Sequence, residues 1–394
     1  MAAPPRDRAA QRRLLRASRA AAAIVGALVA AALGIYVWAR LSTDESTIAR
    51  ALIWMSADIG DQHRFPSRAI PASAHASALP IARQSHVRVP DVRATHTRAF
   101  VVVHHDRVVY ARYFDGANRQ SLETSFSIAK SIVSTLVGIA IDERLIHSID
   151  DPITRYVPEL GKREPRFRRI TLRDLLTMSS GLRYAETTVL GIPWPWRDDT
   201  YTYYGTDLRK VALTRTRIEE PPGQRWHYNN YNPLLLGLVL ERAAHMPVAR
   251  FASTRLWRPL GAARGATWSL DSKRSGFEKL ESGFNATALD YARLGLLFLH
   301  AGRFNGRQIV SHAWVRAATA PHTATDYPNP YGYFWWIDGH RPGLFYALGN
   351  YGQYVYIDPR ADTVIVRLGS DWDHGNEAWL ALFRRIADDL ATSN

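Results

Sequence analysis

The chain has no cysteine among its 394 residues. Disulfide staples, thiolate metal sites, a thiol nucleophile and a lipid-modified cysteine anchor are thereby excluded. Lysine is scarce as well: of fifty basic side chains only five are lysine, namely Lys130, Lys162, Lys210, Lys273 and Lys279. Arginine does not deprotonate in a protein, whereas a lysine in suitable surroundings can. Metal-ligand spacing is also missing. The fourteen histidines form no convincing helical His-x-x-x-His pair, and His104-His105 falls in an expected hairpin turn, which points to a solvated loop. Neither a metal nor another cofactor is expected. The formal charge of +14 would suit nucleic acid if the basic residues were clustered. Apart from one N-terminal group they are scattered arginines without a recognisable binding motif, so a nucleic-acid partner is not expected.

That one group consists of Arg6, Arg8, Arg12, Arg13, Arg16 and Arg19, opposed only by Asp7, and Ala20 to Ala39 follows without a charge. About twenty such residues span a bilayer as a helix, and arginines flanking a span stay on the cytoplasmic side. The expectation is a basic cytoplasmic tail over 1–19, a transmembrane signal anchor over 20–39, a connecting arm over 40–95 and a periplasmic domain over 96–394. The protein would then sit in the cell inner membrane through a single helix. A cleavable signal peptide ending near Val37-Trp38-Ala39 is the competing reading. The arm is broken by prolines at Pro66 and Pro71. It either packs on the domain or holds it away from the membrane.

Ala99 to His104 and Val108 to Phe114 are β-branched and aromatic runs about a short polar turn, the pattern of a hairpin. A helix follows with Ile128, Ile132, Leu136 and Ile139 on one face. Thr171 is placed to cap a short helix ending near Gly181, and further helices are expected at 233–244, 288–300 and 312–318. Strands return at 344–348, 352–357 and 363–368. An amphipathic helix carrying Trp379, Leu382, Phe383, Ile386 and Leu390 closes the chain. This order implies an α+β fold: an antiparallel sheet from N- and C-terminal strands, flanked by helices, with a mainly helical insertion over roughly 145–320. The stretch 185–220 gathers Trp194, Trp196, Tyr201, Tyr203 and Tyr204 near prolines. It fits equally an aromatic wall over a cleft or a loop packing its own rings.

The chemistry concentrates at Thr124-Ser125-Phe126-Ser127-Ile128-Ala129-Lys130-Ser131. Three residues apart on a helix, Ser127 and Lys130 share a face. Ser127 also lies in the field of free backbone N–H groups at the helix start, which favours a nearby oxyanion. A serine hydroxyl needs a neighbouring base before it attacks. The residues three before the other four lysines are Glu159, Asp207, Leu270 and Gly276, so only Lys130 has a serine there.

Two further stretches, Tyr228-Asn229-Asn230 preceded by Pro222-Gly223, and Ile170-Thr171 through Gly181-Leu182, complete a pattern. From about Phe100 to the last helix the chain resembles the serine β-lactamase and penicillin-binding-protein superfamily. Ser127 to Lys130 matches its Ser-x-x-Lys motif, and Tyr228 to Asn230 its Tyr-x-Asn motif. The nearer branch is the class C-related one, which includes esterases, D-amino-acid peptidases and 6-aminohexanoate-dimer hydrolase. Gly283 to Ala288 and Tyr331 to Trp336 resemble segments of the last.

The resemblance implies a β-lactamase/transpeptidase-like fold and an acyl-enzyme on Ser127, with Lys130 or Tyr228 taking the serine proton. It implies an oxyanion held by the backbone N–H groups of Ser127 and Gln353, and Asn230 orienting Lys130 and the substrate. The family's third motif, Lys-Thr-Gly or His-x-Gly, corresponds to Asn350-Tyr351-Gly352-Gln353. Gly352 would let substrate backbone approach the strand closely, and the motif's cation is replaced by Asn350. That replacement argues against penicillin hydrolysis and against carboxylate-ended cell-wall peptides. The expected activity is a serine hydrolase acting on a small-molecule ester or amide. A D-amino-acid peptidase or penicillin-binding activity and a non-catalytic envelope-binding module are the alternatives.

Overall fold

Residues 100–103 alternate between two cores: Val101 and Val103 enter one, Phe100 and Val102 the other. A side-chain period of two is what a strand buried on both faces requires. The computed structural model describes residues 8–76, 78–83, 87–186, 188–189, 192–193, 197–372 and 375–392. The chain begins with helices α1 (Arg8–Leu41) and α2 (Thr47–Trp54), then strand β1 (Ser67–Ile70), the hairpin β2 (Thr97–His104) and β3 (Arg107–Tyr113), and β4 (Glu123–Thr124). Helices α3 (Ile128–Asp142), α4 (Leu172–Leu176) and α5 (Tyr231–Ala244) follow, then β5 (Ala266–Ser269), β6 (Phe284–Ala286) and α6 (Ala288–Leu299). The last part holds β7 (Trp336–Ile337), β8 (Phe345–Gly349), β9 (Gln353–Asp358), β10 (Thr363–Gly369) and α7 (Gly375–Thr392).

Strands from the two ends of the chain form one antiparallel sheet in the order β7-β8-β9-β10-β2-β3. Its seam is the pairing of β10 with β2, where Val366 faces Val101. The β2–β3 turn has His105 and Asp106 both at positive φ, the geometry that matches strand twist in a two-residue hairpin. His104, expected in the loop, is instead the last residue of β2, buried and hydrogen-bonded to Thr363. α6 lies against one face so closely that a Cβ on Gly295 would stand 2.5 Å from Val364. α7 covers the other face with Trp379, Phe383 and Ile386. Each such buried side chain stabilises the fold by about 2 kcal/mol.

α3 is more deeply placed than its expected single apolar face suggests. Every residue from Ile128 to Ala140 is buried, because the helix runs between the sheet and α5. A helix covered all round is a core element. Thr171 caps α4 through a reciprocal capping box with Asp174. The helix ends at Leu176 rather than near Gly181, since Met178 turns to positive φ.

The insertion is not helices alone: β5 and β6 belong to a second sheet of order β1-β5-β6-β4. Its edge strand β1 comes from the arm, Ser67 facing Ser269. The arm therefore packs on the body. Arg50, fully buried, reaches the carbonyls of Thr43, Tyr204, Gly205 and Asp271. α1 is long and apolar enough over Leu15–Leu41 to cross a membrane, and apart from Ala39 that stretch is not buried in the body. A signal sequence has the same features.

Candidate active site

β4 pairs with β6 and delivers the chain to the start of α3. Between them Phe126 adopts φ 42°, a left-handed conformation that costs a bulky residue about 1–2 kcal/mol. Its ring is buried against Tyr351. Ser127 is the N-cap of α3, yet its side chain caps nothing, which leaves Oγ for Lys130. Lys130 Nζ donates to Ser127 Oγ at 2.7 Å and to the Glu281 carbonyl at 3.0 Å. The Tyr228 ring centre lies 4.8 Å from the same Nζ.

Burial drives the Lys130 ammonium down from the usual lysine range to about 7, against the opposing pull of Glu281 and Glu186. A lysine that is half neutral near neutral pH can accept a proton. Burial acts in the other direction on Tyr228, whose phenol is pushed up; its hydrogen bond with Ser127 offsets part of this, while Glu186 and Glu281 add to it. The same low-dielectric surroundings thus push the two groups in opposite directions: the lysine toward its neutral form and the tyrosine toward keeping its proton.

The cleft over Ser127 has a volume of about 830 Å³, with aromatic walls from Trp226, Tyr228, Tyr327 and Trp336. Asn350 lines it, and its Oδ1 accepts from Trp372 Nε1 at 3.0 Å. Asn230 lines it too, but donates to the Tyr184 hydroxyl at 2.9 Å. Lys130 is hydrogen-bonded to Ser127 and the Glu281 carbonyl, and among the described residues no hydrogen bond joins it to the Asn230 amide. Asn229, between Tyr228 and Asn230, is buried and bonds the Leu182 carbonyl and the Tyr231 N–H.

The third motif is displaced from its expected register. Gly352 and Gln353 are buried and are not among the residues that line the cleft. Gly352 has φ 71°, and a Cβ there would fall 2.1 Å from Arg367 Nη1, so its bareness accommodates that buried guanidinium rather than a substrate. Gln353 opens β9 opposite Gly349 in its pairing with β8, and its side-chain amide is spent on the Asn350 and Gly369 backbones. Gly349 is the residue that meets the nucleophile's turn. A Cβ on it would lie 2.2 Å from the Ser125 carbonyl and 3.1 Å from Ser127 N. The backbone facing Ser127 is therefore Gly349-Asn350.

Several cleft residues carried no motif: Glu281, Tyr184, Trp226 and, from the arm, Ala57. One signal pointed toward Glu281. Lys279, one of only five lysines, is buried and salt-bridged to the Glu281 carboxylate at 2.7 Å. Of the aromatic stretch, Tyr203 lines the cleft, Tyr204 packs on Trp54, and Tyr201 stacks under Arg215. Trp194 and Trp196 lie outside the described residues.

A family model described as Beta-lactamase matches residues 89–390. The 6-aminohexanoate-dimer hydrolase of Paenarthrobacter ureafaciens is 30% identical over 333 residues, which cover 77% of this chain and 81% of that protein. Esterase EstB of Burkholderia gladioli is 28% identical over 181 residues, 41% of this chain and 44% of its own. Among solved structures, a penicillin binding protein from Bacillus halodurans superposes with a TM-score of 0.60 at 16% identity, covering 75% of this chain and 98% of its own. That likeness is one of fold.

Proposed function

The chain belongs to the Beta-lactamase family, and on that footing we propose that it is a membrane-anchored serine hydrolase cleaving small esters or amides through an acyl-enzyme on Ser127. The observation that carries this reading is the 2.7 Å contact between Ser127 Oγ and a buried lysine whose pKa falls to about 7. The similarity to a dimer hydrolase and to an esterase supports the ester or amide class.

In the first step neutral Lys130 takes the Ser127 proton, and Oγ adds to the substrate carbonyl. The developing oxyanion is held by the backbone N–H groups of Ser127 and Asn350, donors that strengthen as charge builds. Tyr228, neutral over the working range, donates its proton to the leaving group and recovers one from Lys130. Water then repeats the sequence on the acyl-enzyme. Glu281 keeps Lys130 aimed at Ser127 through its carbonyl.

The cleft is lined by Glu186, Glu281 and Asp326, and among its described lining residues there is no lysine or arginine. A carboxylate-ended substrate would find no lining lysine or arginine to pair with there, which favours neutral or cationic acyl compounds over penicillins and cell-wall stems. α1 is the proposed anchor, its arginines cytoplasmic and the body on the periplasmic side.

The test is intact-mass analysis of the full chain in detergent after treatment with a fluorophosphonate. One adduct on the parent and none on Ser127→Ala is expected. A folded parent that takes no label, or a variant that labels equally, sinks the reading.

A further inference from the structure

A second cavity of about 400 Å³ lies beside the cleft, and four of its lining side chains are arginines: Arg183, Arg197, Arg215 and Arg217. One carboxylate accompanies them, Asp198, and both its oxygens are engaged. Oδ1 accepts from the Tyr231 hydroxyl at 2.8 Å and Oδ2 from the Ala185 N–H at 3.0 Å. Among the described residues none of the four arginines has a salt-bridge partner. Elsewhere in the molecule arginines meet carboxylates directly, as in Arg98 with Glu123, Arg209 with Glu241 and Arg242 with Glu159.

The backbone forces this concentration of charge. An antiparallel bridge joins Leu182 to Ile218, and the Arg183 N–H donates to the Arg217 carbonyl at 2.9 Å. Like charges set opposite one another across such a pairing destabilise it. Arg215 is held by stacking on the Tyr201 ring at 3.4 Å and by a hydrogen bond with Tyr231, while its buried Nε has no partner. Guanidinium groups without a carboxylate partner lining one polar cavity are suited to a multivalent oxyanion, because each can offer two parallel N–H donors. Ala185 lines both this cavity and the cleft, so the two share a wall while differing in the sign of their charge.

We propose that this cavity binds a phosphate-type oxyanion, free in solution or as the headgroup of an anionic lipid. The proposal is independent of the reaction at Ser127.

The experiment is native mass spectrometry of the full chain released from detergent, titrated with inorganic phosphate and, separately, with dioleoylphosphatidylglycerol. Dioleoylphosphatidylcholine serves as the zwitterionic control. A saturable one-to-one adduct is expected, weakened roughly tenfold or more in the Arg183→Gln/Arg217→Gln variant. An adduct with phosphate assigns the source to solution. Selective retention of phosphatidylglycerol, lost in the variant, assigns it to the membrane. Arg183 and Arg217 are exposed, and an unchanged thermal midpoint checks that the variant is folded. Arg197→Gln is the second variant should the pair fail that check. Absence of both adducts, or adducts equally strong in the variants, overturns the proposal.

Discussion

The rings of Phe126 and Tyr351 meet edge to face with centroids 5.3 Å apart, and both residues sit at positive φ, 42° and 59°. Phe126 comes just before Ser127 and Tyr351 just after Asn350, so one ring contact clamps two strained turns from different elements. Tyr351 also donates its hydroxyl to the Ala57 carbonyl of the arm. Strained backbone of this kind persists only where its surroundings over-determine it.

Tyr351→Gly tests the clamp, since glycine accepts positive φ but has no ring. It should lower kcat roughly ten- to a hundredfold through misplacement of the oxyanion donors, with KM changing little. Tyr351→Phe, which keeps the ring, should retain most activity. Steady-state kinetics on a short neutral ester decides: a glycine variant with parental kcat would reduce the contact to packing.

Lys130 must be neutral to act as base. With its pKa brought down to about 7, kcat/KM for an uncharged substrate should fall as pH drops below that value and level off above it. A flat profile from about pH 5 to pH 9 would remove lysine from the role. Lys130→Arg keeps the charge but cannot titrate, and turnover should fall by about a thousandfold or more.

Tyr228→Phe separates acid from base. The ring would still pack beside Trp226 and Trp336, so the thermal midpoint should barely move. Turnover should drop by about 10² to 10⁴ for alkyl esters, whose leaving groups need a proton, and much less for a nitrophenyl ester. Equal losses on both would argue that Tyr228 acts before the leaving group departs.

Arg50→Ala should destabilise the fold by about 3 kcal/mol, because several buried carbonyls lose their donor at once. Urea unfolding followed by tryptophan fluorescence reads this directly. A change below about 0.5 kcal/mol would mean that the arm is merely laid on the surface.

The legible parts of the molecule were local. Ser127 and Lys130 meet because helical spacing brings them together. The hairpin, the last three strands and the Thr171 cap follow from patterns that short stretches carry by themselves. The third motif was misread by about three residues, and the cause is visible at Tyr351. Two consecutive left-handed residues, Tyr351 and Gly352, break the chain between β8 and β9, so the glycine that resembles a motif glycine faces Arg367 while Gly349 faces Ser127. Glu281, Tyr184 and Ala57 reach the cleft from positions far away in the chain, and no spacing rule links them to Ser127. The arm hid its role for the same reason: Arg50 finds three of its four carbonyl partners 154 to 221 residues downstream.

The edge strand β1 has a consequence for how this protein can be dissected. The family match begins at residue 89, some twenty positions after a strand that is hydrogen-bonded into the sheet flanking the nucleophile. A cut placed by homology would strip that edge, expose the main chain of β5, and delete Arg50 and the Ala57 rim. Unpaired sheet edges seek other chains. The smallest piece expected to behave as a monodisperse protein therefore starts before Thr47, because arm and body are spliced into one folded unit rather than strung together by a detachable leash.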